Sequence, residues 1–123
     1  MEATRNYNLS MVRGDTLSFG FEVMGVSSID AAYFSCKINP DDTEYIFQKS
    51  LNNGITVGNS TMGQYIVRVA PEDTYNVDLG TYYYDLEIWK NNDIYTILRG
   101  SLRIEKDITR ELNTWELKIK IPF

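Results

Sequence analysis

Apolar and polar residues alternate with a period of two along most of this 123-residue chain. Such alternation is typical of β-strands that bury one face and expose the other. In the clearest example, Leu17, Phe19 and Phe21 fall on one side of a strand, and small or charged residues fall on the other. The sequence therefore predicts an all-β protein, with strands at about residues 6–12, 16–24, 31–38, 43–49, 55–57, 64–70, 81–90 and 94–105.

The predicted core follows from the side of each strand that carries the apolar residues. On the third strand these residues are Ala32, Phe34, Cys36 and Ile38. Cys36 is the only cysteine, so no internal disulfide can form, and its place in this series predicts a small buried hydrophobe. The apolar face of the strand at 94–105 changes side near Gly100, which predicts a β-bulge there.

One short helical turn is predicted near residues 71–75, between the strands at 64–70 and 81–90. It begins with Pro71-Glu72-Asp73-Thr74. Proline suits the first helical position because its missing N–H needs no partner there, and acidic side chains are favourable at the positive end of the helix dipole. The turn would bridge the two strands.

The segment from Asp78 to Tyr84 sets the register of the predicted fold. Its spacing Asp-x-Gly-x-Tyr is that of a tyrosine corner in immunoglobulin-like sandwiches. Gly80 would let the backbone turn, Tyr82 would tie the turn to backbone a few residues upstream, and Tyr84 would stand where an antibody domain has its second disulfide cysteine. We therefore predict an immunoglobulin-like antiparallel β-sandwich of about seven strands, plus an extra C-terminal strand.

That extra strand is a separate feature of the sequence. After residues 105–110 break the alternation, residues 115–121 resume it, with one apolar face formed by Trp115, Leu117, Ile119 and Ile121. We assign residues 1–110 to the sandwich domain and 111–123 to a strand extension of the same domain. An amphipathic strand beyond a complete sandwich must pair with the edge of its own sheet or with another molecule, and the sequence leaves both open.

Charge excludes several classes of partner. The net charge is −5 with a pI near 4.6, and no dense cluster of Lys and Arg occurs. Binding to nucleic acid or to an anionic membrane is therefore not expected, because both need a basic surface. The first residues lack the apolar core of a secretory signal, so we expect a protein that is made and kept in the cytosol.

The residue types needed for common catalysis are missing. The chain has no histidine, which removes serine and cysteine catalysis through imidazole and zinc sites that use it. No glycine-rich phosphate loop or calcium loop occurs, and the paired acids at 41–44 and 72–73 lie in turns, where such pairs are usually solvated. We predict no catalytic residue, no cofactor and no metal site.

An aromatic face is predicted opposite the core. Tyr33, Tyr83 and Trp89 fall on the outer side of strands that neighbour each other in this topology. Such residues either pair across the strands and stabilise the sheet, or form a surface for a partner protein or for stacking on sugars. The sequence shows no set of polar residues suited to sugar hydroxyls, so a protein interface is the stronger functional interpretation.

The order of several short blocks resembles small immunoglobulin-like proteins of bacteriophage tails and baseplates. The chain resembles the N-terminal domain of the phage baseplate upper protein family, and the resemblance covers about residues 7–110. Its blocks are Val12-Arg13-Gly14-Asp15-Thr16-Leu17-Ser18-Phe19, Val69-Ala70-Pro71-Glu72-Asp73-Thr74, Gly80-Thr81-Tyr82-Tyr83-Tyr84-Asp85-Leu86-Glu87 and residues 98–110.

The resemblance implies a non-enzymatic structural protein of a phage or prophage tail or baseplate. Such a protein would be synthesised in the host cytoplasm, reside in the virion, and assemble with copies of itself or with other tail proteins through surface contacts and strand addition. The alternative is a carbohydrate-binding or cell-surface adhesion module that uses Tyr33, Tyr83 and Trp89 as a stacking platform.

Overall fold

Alternating side chains build nine strands and two short helical segments in the part of the chain that the structure describes. The structure is a computed structural model, and it describes residues 4–23 and 28–108, except for the side chain of Ser60. The strands are β1 (Arg5–Asn6), β2 (Leu9–Val12), β3 (Leu17–Glu22), β4 (Ala31–Lys37), β5 (Phe47–Leu51), β6 (Gly54–Asn59), β7 (Gln64–Val69), β8 (Gly80–Lys90) and β9 (Asp93–Glu105). A 3₁₀ turn covers Ser60–Met62, and helix α1 covers Pro71–Thr74.

The strands form two layers joined at one edge. Along the hydrogen-bonded order β9-β8-β4-β5-β6-β7-β3, neighbours are antiparallel except for β5 and β6. Those two meet in a short parallel pairing of Ser50 with Gly54 and Leu51 with Ile55, where the chain passes from one layer to the other. β1 and β2 pair in parallel with β9. The sequence predicted an antiparallel sandwich, and these pairs are an exception to it.

The core between the layers is centred on Phe34, which is fully buried. Its ring lies 5.4 Å from Phe19 of β3, in the opposite layer, and 5.4 Å from Tyr84 of β8. Phe47 of β5 completes the cluster at 5.9 Å. The contacts with Phe19 and Tyr84 are edge to face, a geometry that adds to the stabilisation from apolar burial of large rings. The prediction that Cys36 is buried is confirmed.

One predicted core residue is wrong. Ile38 is 64% exposed, because β4 ends at Lys37 and the chain turns immediately afterwards. That turn is closed by a hydrogen bond of 3.0 Å from Asp42 N to Asn39 O. Alternation of side chains has no meaning beyond the last residue of a strand, so Ile38 no longer belongs to the inner face.

The strand predicted at 43–49 begins later, at Phe47, and the strand predicted at 55–57 extends over Gly54–Asn59. Residues 43–46 lie in the loop between β4 and β5. Lys37 Nζ contacts this loop twice: it donates to Asp42 O at 2.7 Å, and it lies 5.1 Å from the ring centroid of Tyr45. Strand-like pairing with β4 reaches only as far as Ile46, whose N–H donates to Cys36 O at 2.7 Å.

The strand predicted at 6–12 is observed as β1 and β2, which lie beside β9 with Tyr7 and Asn8 between them. Tyr7 N donates to Arg99 O at 2.9 Å, and a Cβ at Gly100 would overlap the carbonyl oxygen of Tyr7. Glycine is required here for close approach of two backbones. A β-bulge was predicted near Gly100; β9 has one three residues earlier, at Ile97, where the register with β8 shifts.

The predicted links around β8 are present. Tyr82 donates its hydroxyl to Asp78 O, and Gly80 adopts a positive φ of 150° between them. The predicted helical turn is also present as α1: Ala70 N donates to the Asp73 carboxylate at 2.7 Å, which satisfies one N–H at its start. The segment 115–121 and the assigned extension 111–123 lie outside the described residues.

Candidate functional site

The outer side of β5, β4, β8 and β9 forms a concave face that opens to solvent. Its volume is about 810 Å³. The face is built by outward side chains of four neighbouring strands and by Tyr45 of the β4–β5 loop. Its members fall into a central polar row of Gln48, Ser35, Asp85 and Arg99, a first flank of Tyr33, Glu87 and Trp89, and a second flank of Lys37, Tyr45 and Tyr83.

Strand register aligns the central polar row. Ser35 of β4 stands opposite Gln48 of β5 on one side and opposite Asp85 of β8 on the other, while Asp85 stands opposite Arg99 of β9. Gln48 Nε2 donates to Ser35 Oγ at 2.9 Å. The row therefore offers an amide, a hydroxyl, a carboxylate and a guanidinium side by side, which together donate and accept hydrogen bonds.

The first flank carries the larger aromatic surface. The rings of Tyr33 and Trp89 meet edge to face at 5.8 Å, and Trp89 donates its indole N–H to Glu87 Oε1 at 2.6 Å. This bond pairs the indole N–H with another side chain of β8. Trp89 is 39% exposed, so its ring remains accessible to a partner. On the second flank, Tyr83 is 45% exposed beside Lys37.

The electrostatics of the face centre on Asp85. Partial burial raises the pKa of its carboxyl, and the nearby charge of Glu87 raises it further, whereas Lys37 and Arg99 lower it. Desolvation outweighs the two cations, so the ionised carboxylate is held at a cost to stability. A carboxylate in that condition gains when a partner supplies a hydrogen-bond donor.

The structure brings together only part of the predicted site. Tyr33, Tyr83 and Trp89 lie on one face, on the side opposite the core, whereas Tyr82 and Tyr84 are buried. Trp115, Leu117, Ile119 and Ile121 lie outside the described residues. Sequence reasoning missed the central polar row, because the row exists only through the pairing of four strands that are distant in the chain.

The turn between β2 and β3, which contains Arg13, Gly14 and Asp15, is bound to two other parts of the domain. Gly14 N donates to the buried Thr74 Oγ1 at 2.9 Å, and Arg13 lies 3.8 Å from the Asp107 carboxylate. These contacts hold the turn and the Arg13 guanidinium against the rest of the domain.

In residues 4–23 and 28–108, no group of three or more potential metal ligands occurs. Within the same ranges, neither helical segment is long and apolar enough to cross a membrane.

Comparison with known proteins bears on the fold. No family model matches the chain, and no curated protein matches it. Among solved structures, the second Ig domain of the mouse polymeric immunoglobulin receptor is similar, with a TM-score of 0.51 over 84% of this chain and 99% of that chain. The fold is an immunoglobulin-like β-sandwich. At 8% sequence identity this likeness shows the fold alone.

Proposed function

We propose that this chain is a non-enzymatic assembly domain of a bacteriophage or prophage tail or baseplate, which binds copies of itself or other tail proteins through the concave face. The phage assignment is supported by the sequence blocks that resemble the baseplate upper protein family. The binding surface is supported by the geometry of the concave face, which is the observation that carries the proposal.

The make-up of the concave face suits a protein partner. Aromatic residues and arginine are enriched in protein interfaces, and a few such residues commonly supply most of the binding free energy. Trp89, Tyr83 and Arg99 all lie on this face, and the two rings are exposed on opposite sides of the central polar row. The cations Lys37 and Arg99 lie beside the anions Asp85 and Glu87. A partner with the complementary arrangement of charges would bind in one orientation.

The proposal is tested by the mass of the full chain in solution. Light scattering and sedimentation over a range of concentrations should show self-association, or a complex when the chain is mixed with tail proteins encoded by neighbouring genes. The double variant Tyr83→Ala/Trp89→Ala should weaken this association at least tenfold, since truncating an interface hot spot costs about 2 kcal/mol or more.

Ile66→Ala is the matched control, because Ile66 is an exposed apolar side chain on β7, in the other layer. It should leave the association unchanged. A full chain that stays monomeric and binds none of the neighbouring tail proteins contradicts the proposal, and so does an equal loss in the control. Detection of the protein in purified particles tests its place in the virion.

A carbohydrate ligand is the second candidate, and the central polar row favours it. The sequence had offered aromatic side chains without polar partners, but Ser35, Gln48 and Asp85 lie between the two flanks. Binding sites for small polar ligands combine apolar walls with a few fixed hydrogen-bonding groups. An array of bacterial surface polysaccharides should then show binding that Trp89→Ala abolishes, whereas a blank array counts against this function and the related one in cell-surface adhesion.

A further inference from the structure

One edge of the sandwich is open among the described residues. Within residues 4–23 and 28–108, β3 stands at the end of the strand order and pairs with β7 alone. The opposite end, β9, is covered by β1 and β2. The outward backbone groups of β3 therefore have no strand beside them, a state that favours pairing with a further strand.

The core beneath this edge is incompletely covered. Leu17, Phe19 and Phe21, the inward side chains of β3, are only half-buried. Their neighbours on β7 are buried, with Val67 and Val69 fully out of contact with solvent. A strand added beyond β3 would cover the exposed part of these three side chains and gain the free energy of burying apolar surface.

The described part of the chain ends next to the turn that leads into β3. Arg13 N donates to Glu105 O at 2.9 Å, and the Arg13 guanidinium lies 3.8 Å from the Asp107 carboxylate. Since residues 13–16 lead directly into β3, the chain after Asp107 starts beside the turn that precedes β3. Ile108 is 98% exposed there, so nothing in the described part of the chain covers it.

The segment 115–121 matches the edge in length, apolar pattern and charge. It has seven residues, and β3 has six. When the two strands run in parallel with Trp115 beside Leu17, the apolar side chains of both face the core. The outward residue Lys120 then stands beside Glu22, which gives an opposite-charge pair across the strands. Residues 109–114 span up to about 20 Å, enough to make this connection.

We propose that segment 115–121 pairs in parallel with the free edge of β3 in the same chain. The short connection gives the segment an effective concentration in the millimolar range at this edge, which favours pairing within one molecule over pairing between molecules. This goes beyond the proposed function: the segment closes the edge that would otherwise accept a strand from another protein, and it leaves the concave face as the surface for partners.

Engineered disulfides test the proposal in the full chain. In a parallel ladder, Ser18 and Glu116 would be neighbours about 5 Å apart at Cα, within the range that a disulfide bridges. Under mild oxidation, Ser18→Cys/Glu116→Cys should form an intrachain disulfide at monomer mass, seen by mass spectrometry and non-reducing gels. The native Cys36 should not compete, because it is fully buried and its pKa is raised to about 12 by burial.

The control is Thr56→Cys/Glu116→Cys, since Thr56 is exposed on β6, two strands away from β3. It should cross-link at least tenfold more slowly. A second pair, Glu22→Cys/Lys120→Cys, should behave like the first and guards against one variant failing to fold. The proposal is overturned if the disulfides link two chains, if neither test pair cross-links, or if the control reacts as fast. None of these results bears on the concave face, so the proposed function is tested separately.

Discussion

At the scale of single residues, three buried tyrosines bind backbone groups from different parts of the chain. Tyr65 accepts a hydrogen bond from Ile29 N at 3.1 Å, Tyr82 donates to Asp78 O, and Tyr84 donates to Tyr7 O. The partner of Tyr82 is only four residues away, which is why its spacing made the bond predictable. The partner of Tyr84 is 77 residues away, and no local pattern indicates it.

Tyr84→Phe should lower the free energy of unfolding by about 1 kcal/mol at neutral pH, the usual contribution of one such hydrogen bond. The variant keeps the ring that packs on Phe34. Urea unfolding at pH 8 measures the loss. Tyr83→Phe is the control, because that ring is exposed, and its free energy of unfolding should match that of the original chain.

The same tyrosine should make the protein sensitive to alkali. Burial and the neighbouring Tyr7 raise the pKa of Tyr84 to about 12, whereas a phenol in an unfolded chain has a pKa of about 10. The folded state therefore holds more protons between these values, and stability should fall as pH rises from about 10 to about 12. In Tyr84→Phe this fall should be shallower. The measurement is the free energy of unfolding in urea at several pH values from 9 to 11.5. If it falls equally with pH in both proteins, Tyr84 is not the group responsible.

Gly100→Ala should destabilise the domain by about 3 kcal/mol, because the added methyl group overlaps the Tyr7 carbonyl. Relief requires β1 and β2 to move away from β9, which also breaks the bond to Tyr84. The control is Gly20→Ala on β3, where the added Cβ would lie 3.5 Å from Tyr65 O, an ordinary contact. Thermal unfolding of the two variants should differ by several degrees, and equal melting temperatures would rule out the close approach.

At the scale of strands, periodicity predicted where the elements lie but not what ends them. The strand predicted at 31–38 is observed at Ala31–Lys37, and the one at 81–90 is observed at Gly80–Lys90. The strand predicted at 43–49 begins only at Phe47, after a loop in which Lys37 contacts Asp42 and Tyr45. These contacts depend on tertiary structure that a local pattern does not contain.

The candidate site was predictable only in its aromatic part, for a reason that also lies in the strands. Alternation alone places Tyr33, Tyr83 and Trp89 on the outer face. The position of Asp85 between Ser35 and Arg99 depends on how β4 and β9 pair with β8, and the bulge at Ile97 shifts the second pairing. Local sequence specifies neither register.

Asp85→Asn should stabilise the folded protein at pH 7. The pKa of Asp85 is raised in the folded state, so that state binds more protons than the unfolded chain just above the ordinary pKa of about 4. Stability contributed by the protonated form is therefore lost as pH rises through that window. The variant should melt higher than the original chain at pH 7 and at the same temperature at pH 3. Asp41→Asn, in an exposed turn, should shift neither value.

At the scale of the whole molecule, the described residues present two surfaces with different chemistry. The concave face combines polar and aromatic side chains, and it lies on the layer that contains β4 and β8. The edge of β3 lies on the other layer and offers backbone groups and half-buried apolar side chains. A partner bound at the concave face would leave the β3 edge as it is, so the two surfaces can be perturbed independently.

Removal of residues 111–123 should therefore damage the β3 edge and spare the concave face. If segment 115–121 covers β3, its loss removes the burial of its own apolar side chains and re-exposes part of Leu17, Phe19 and Phe21. Since full burial of one such side chain contributes about 1.5–3 kcal/mol, the free energy of unfolding should fall by about 3 kcal/mol or more. The uncovered edge should also promote association with rising concentration. The length-matched variant Leu117→Lys/Ile119→Lys should reproduce both effects, because it removes the apolar face alone. A truncated chain with an unaltered mass by light scattering and an unaltered melting temperature would show that the segment neither closes the edge nor contributes to assembly.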